Sequence, residues 1–267
     1  MSIIGNLLER ADRIWLQNPW TIVEFVGRLL RAFPVTLADV GSARWKITLK
    51  AFGASFTKSV LRSLLPVVGV VAVAVWGVGE ISRSLGPLTR PTFQSNVLPL
   101  LLGTILPIVL ATVITARQGA TLVAKYLAGV GAWILHAPES PDGLAELQRE
   151  VMPRLAGGIL ASIIFYLLLC WGLLIGYLGQ GSLTEISEIP IGMLVGFVDQ
   201  HGLRSSIHHG VARCAASAAM IVLIASALGM RDGRRAKEQP NCQDCYDAAW
   251  ESSMMSLLCS FLIAFLP

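Results

Sequence analysis

Five apolar stretches, each about as long as a bilayer is thick, constrain this chain more than any other feature. They run roughly from Val60 to Gly79, Val97 to Ala116, Leu155 to Leu178, Ile207 to Gly229 and Ala248 to Leu266. A helix needs about 20 residues to cross roughly 30 Å of hydrocarbon. In that medium each backbone N–H and C=O must be paired within the segment, which excludes open strands and lipid-exposed loops. The expected fold class is therefore an all-α integral membrane protein with five transmembrane helices. Composition agrees, with 54% hydrophobic and 14% charged residues and a mean hydropathy of +0.64. A soluble core of this kind would need five helices apolar all round and almost no amphipathic surface.

Lys and Arg in the loops set orientation. Arg10, Arg13, Arg28, Arg31, Arg44, Lys46, Lys50 and Lys58 precede the first stretch. Arg83 and Arg90 lie in the first loop, Arg117, Lys125, Arg149 and Arg154 in the second, Arg204 in the third, and Arg231, Arg234, Arg235 and Lys237 in the fourth. This alternation predicts a cytoplasmic N-terminus and places Pro267 on the opposite side. Glu9, Arg10, Asp12 and Arg13 interrupt the first twenty residues, so no cleavable signal peptide is expected. Ile4, Leu7, Leu8, Ala11, Ile14 and Trp15 instead recur at helical spacing. Asn18 offers a cap with Pro19 at the first helical position, and a second stripe of Ile22, Val23, Val26, Leu29, Leu30 and Phe33 ends at Pro34. Residues 1–58 thus read as N-terminal amphipathic helices, suited to the cytoplasmic interface or to docking on another subunit. Residues 59–267 read as the membrane domain, with a long cytoplasmic loop at 117–154.

Chemistry inside the spans is sparse. Cys170, Cys214 and Cys259 suit apolar packing. Cys242 and Cys245 form a CxxC, but zinc needs about four ligands and no His is near, so the pair is at most a weak metal or redox candidate. His208 and His209 fall at the outer mouth of the fourth stretch. Arg213 lies about two turns inside it, where a charge either faces a cavity or partner or snorkels to the interface. No Walker phosphate loop is present. Val71, Val75 and Val78 share a helical face that can serve as a smooth wall or as lipid-facing surface. Gly172 and Gly176 form a GxxxG, which favours close helix packing in a bundle or a dimer.

The stretch LPIVLATVITARQGATLVAK, Leu106 to Lys125, resembles the signature of the MlaE/YrbE permease family. Pro107, Arg117 and Gly119 keep that signature's spacing, Pro153 and Arg154 match the Pro-Arg pair opening the next span, and Arg213 and Gly229 fit the layout of the fourth. FVGRLLRAF, Phe25 to Phe33, is similar to the family's interfacial N-terminal helix. The resemblance covers nearly the whole chain through individually weak motifs. It departs where the family reads Glu-Leu-Gly-Pro and this chain has Thr104, Ile105, Leu106 and Pro107. It departs again where Lys125 replaces an acid, where Gly129, Gly131 and Trp133 stand in the coupling region, and where Ser260 replaces an Asp.

The resemblance implies a non-catalytic permease subunit of an ABC-type transporter that moves phospholipid between membranes. Its partners would be a cytoplasmic ABC ATPase that uses ATP and Mg, an MCE-domain protein, a second permease copy and membrane lipids, with no nucleic acid. This chain would bind no cofactor and reside in the inner membrane. Arg117, Gly119, Lys125, Trp133, Pro153 and Arg154 would couple to the ATPase. Val71, Val75, Val78, Pro107 and Arg213 would line the lipid pathway, Arg213 pairing with phosphate. The alternatives are a diverged half of a heterodimeric permease, with an assembly or gating role, and a membrane enzyme using Cys242 and Cys245.

Overall fold

The computed structural model describes residues 17–38, 43–86, 88–114, 119–127, 141–179, 189–238 and 242–264. Among these residues the elements are helices joined by turns, with no strand. They are α1 Asn18–Ala38, α2 Ala43–Ser84, α3 Arg90–Ile114, α4 Ala120–Leu127, α5 Pro141–Leu178, α6 Ile191–Gln200, α7 Leu203–Glu238 and α8 Cys242–Ala264.

Four segments are long and apolar enough to cross a membrane: Ser63–Ser84, Arg90–Ile114, Arg149–Leu178 and Leu203–Asp232. They make the chain a multi-pass membrane protein. The apolar part of α8, Trp250–Ile263, is shorter, as is α6, which the hydropathy reading leaves in a loop.

Helical continuity differs from the sequence reading in three places. Pro34 does not end α1, which runs to Ala38. The division at residues 58 and 59 falls inside α2, which is unbroken over 42 residues despite Pro66. The segment 117–154 is helical over Ala120–Leu127 and again from Pro141, where it runs directly into the third span as α5. A span's hydropathy marks where the apolar part of a helix stops, while backbone hydrogen bonding continues into water.

The chain divides into two compact units. One comprises Met1–Ser59, Thr115–Gly158 and Ala219–Cys259; the other comprises Val60–Ile114, Ile159–Ala218 and Ser260–Pro267. In the first, Ile22, Phe25 and Leu29 of α1 pack with Val151 of α5, Ile224, Ala227, Leu228 and Met230 of α7, and Met255 of α8. The buried stripe of α1 is thus set by Phe25, whereas Val23 and Leu30 of the expected stripe are exposed with Trp20 on another face. In the second unit α2 presents Leu65, Val68, Val73 and Trp76 outward, the natural lipid-facing surface of a span.

In the second unit α2 and α5 approach until backbone meets side chain. A Cβ on Gly172 would lie 2.9 Å from Val71 Cγ1, and one on Gly176 only 2.4 Å from the Val75 carbonyl oxygen. The GxxxG notch therefore receives a helix of its own chain.

Candidate functional site

The second span is built around two prolines. Pro99 and Pro107 lack an N–H, and their rings crowd the carbonyl four residues back. Each follows a π-helical turn, Phe93–Val97 and Leu101–Ile105, in which Leu98 N–H bonds Phe93 O and Leu106 N–H bonds Leu101 O. The wider turn relieves the clash, but the return to α-helical bonding skips a carbonyl, and Pro107 supplies no donor for another. In hydrocarbon such groups need side-chain partners.

Leu102 and Gly103 occupy those positions, and both are satisfied from neighbouring helices. Tyr166 of α5 donates its hydroxyl to Leu102 O at 2.9 Å. Arg213 of α7 donates through Nη1 to Gly103 O at 2.6 Å and to Thr104 Oγ1 at 3.1 Å. Gly210, one turn before Arg213, makes room for this: a Cβ there would sit 1.9 Å from the Tyr166 hydroxyl. Ser162 Oγ adds a bond to Cys214 O at 3.3 Å. The three helices are thus tied by polar contacts at one level of the second unit. Replacing Tyr166 by Phe orphans the Leu102 carbonyl and is expected to destabilise the chain by about 1–3 kcal/mol. Unfolding in detergent reads this out, and an unchanged midpoint would mean water replaces the hydroxyl.

The first unit holds two charged groups of its own. Glu150 of α5 pairs with Arg154 one turn on and with Lys125 of α4. All three side chains are partly buried, between 20% and 30% exposed. The second group joins α1, α7 and α8. Arg231 donates through Nε and Nη2 to the two Asp232 oxygens at 2.7 and 3.0 Å and through Nη1 to Asn18 Oδ1 at 2.7 Å. Its Nη2 lies 3.8 Å from Glu251, to which Asn18 Nδ2 donates at 3.4 Å. Asn18 is fully buried, so the residue that reads as a helix cap serves instead as a bridge between α7 and α8.

Of the residues singled out in the sequence, Lys125 and Arg154 meet through Glu150, which the sequence reading passed over. Gly119 is buried just before α4, and Pro153 is buried inside α5. Arg117 and Trp133 lie outside the described residues. Pro107 and Arg213 belong to the span-crossing polar contacts above. Val71 and Val75 are half-buried against the GxxxG notch and Val78 is buried. Cys242 and Cys245 lie in the first turn of α8. Cys170, Cys214 and Cys259 are free thiols, and among the described residues no group of three or more His, Cys, Asp or Glu could hold a metal.

Sequence reasoning missed Tyr166, Glu150 and the network of Asn18, Arg231, Asp232 and Glu251. The available signal was an Arg-Asp pair closing one apolar stretch and a Glu opening the next. Comparison with known families finds no matching family model, and comparison with curated proteins finds no match.

Proposed function

We propose that this chain is the membrane permease subunit of an ABC-type phospholipid transporter of the MlaE/YrbE kind, with ATP hydrolysis carried out by a partner ATPase. One observation carries the reading. Thr104 to Pro107 stand where the resemblance has its Glu-Leu-Gly-Pro tetrad, Arg213 stands at its fourth-span basic residue, and Arg213 donates to Thr104. Two positions 109 residues apart in sequence, one matching the resemblance's fourth-span basic residue and the other standing in place of its second-span acid, are partners in space.

The ion cluster of Lys125, Glu150 and Arg154 supports the same reading. It clasps α4 to α5 across the 117–154 segment, giving a coupling element a firm base from which an ATPase could push on the third span. The N-terminus is cytoplasmic, α8 makes a fifth crossing toward Leu266, and the C-terminus lies on the far side of the inner membrane. The open Trp20, Val23 and Leu30 face of α1 suits the cytoplasmic headgroup boundary.

Purification with native partners tests the proposal. An ATPase co-purifying with two copies of this chain supports it, and the absence of any ATPase refutes it. Glu150→Gln is expected to lower ATPase recovery about two- to fivefold, the scale of partly exposed ion pairs; equal recovery would remove the cluster from coupling. Arg213→Ala is expected to lower lipid transport while the chain still inserts. A second reading, one diverged half of a heterodimer, is favoured by Thr104 and Lys125 where the resemblance has acids. A distinct permease sequence in the purified complex would establish it.

A further inference from the structure

One end of the second unit holds two buried donors with nothing to donate to. The Tyr177 hydroxyl and the Arg90 Nε are both buried without a hydrogen-bond partner. Tyr177 is 96% buried, at 4% exposure. Both sit at span ends: Arg90 opens α3, and Tyr177 is the next-to-last residue of α5.

Helical spacing explains why they converge. Arg90, Phe93 and Gln94 share one face of the first turns of α3. Phe93 stacks on Tyr177 with ring centroids 5.5 Å apart, bringing the tyrosine onto that face. Gln94 then lies beside the hydroxyl, and the Arg90 guanidinium is close enough to act on it electrostatically. Phe197 of α6 packs on the other side of Tyr177 at 5.7 Å, and His201 stacks on Phe197 at 4.2 Å. Arg90 has one further anchor, Nη2 to Ser82 O at 3.3 Å. The neighbouring acids are occupied, Glu80 by Arg83 and Asp199 by Arg204. Among the described residues no carboxylate pairs with Arg90.

The site therefore has a full positive charge, two donors without an anionic partner and an aromatic wall, with the neutral Gln94 amide beside the hydroxyl. A neutral acceptor would leave the charge of Arg90 unbalanced, whereas a phosphate diester oxygen meets both needs and its acyl chains would extend along the apolar span surface. Aromatic and cationic side chains at span ends occupy the headgroup level. From this geometry we infer that Arg90 and Tyr177 form a binding site for a phosphate group, the headgroup phosphate of a phospholipid or free phosphate. The site requires only that these helices lie in a bilayer, so it stands apart from the transport reading.

The test uses the full chain in a neutral detergent, with native mass spectrometry and thermal unfolding, adding dioleoyl-phosphatidylglycerol or inorganic phosphate in separate arms. The variants are Tyr177→Phe, which keeps the ring stack, and Arg90→Lys, which keeps the charge but removes Nε. Lipid retention and lipid-induced stabilisation are expected to fall roughly tenfold in each variant, the scale of one hydrogen bond to a charged group. Variant-sensitive protection in the lipid arm identifies a headgroup, and in the phosphate arm a soluble anion. If neither ligand distinguishes the variants from the parent chain, water fills the site and the inference is overturned.

Discussion

Arg231→Met is expected to destabilise the chain by about 3–5 kcal/mol, the loss seen when one partner of a buried ion pair is removed. The reason lies in what remains behind. The side chains of Asp232 and Glu251 are 11% and 7% exposed, so two carboxylates would face each other without their shared cation. The Asn18 amide oxygen would lose its donor as well, loosening α1 from α7 and α8. Chemical unfolding in micelles measures the loss. Adding Asp232→Asn and Glu251→Gln to the same variant should recover most of it, because neutral groups are far less costly to bury than charged ones. A single variant as stable as the parent would mean that water already solvates the two acids.

Two glycine substitutions should act in opposite directions. Gly176→Val is expected to cost about 3 kcal/mol or more, since a Cβ alone would meet Val75 backbone atoms at 2.4, 2.7 and 2.9 Å. Backbone cannot rotate aside as a side-chain tip can, so α2 and α5 would be forced apart. Gly77→Ala meets nothing within 4 Å and should instead stabilise its helix by about 0.5–1 kcal/mol. Thermal unfolding of the two variants side by side separates close packing from helix propensity. Equal shifts would remove the Val75 and Gly176 contact as the reason for the glycine.

Hydropathy made the helical membrane class and most of the spans readable, because crossing hydrocarbon demands long apolar runs wherever their neighbours are. It was less informative where a helix leaves the apolar layer. The joining of 141–154 to the third span and of 43–59 to the first depends on hydrogen bonds in polar sequence, where hydropathy carries no signal. The α6 helix is too short to stand out by length. The fifth stretch has only Trp250–Ile263 as its described apolar core, so its crossing remains part of the proposal.

Site residues divide along the same line. Arg213 stood out because a charge inside an apolar run is unusual, and its partner carbonyl could be traced in hindsight to Pro107. Tyr166, Tyr177 and Glu150 gave no such signal. A tyrosine among leucines reads as core, and an acid in a polar stretch reads as surface. Asn18 was readable as a residue that matters at a helix start, but its role there could not be assigned.

What the amino-acid order determines alone is local: which segments are apolar enough to leave water, and where a proline must disturb a helix. What the tertiary structure decides is pairing. Asn18 finds Glu251 across 233 positions, and Arg213 finds Gly103 across 110. The physical reason is that a buried polar group is stabilised only by a partner within about 3 Å. Which residue comes that close is fixed by the packing of helices far apart along the chain, 233 positions in the case of Asn18 and Glu251.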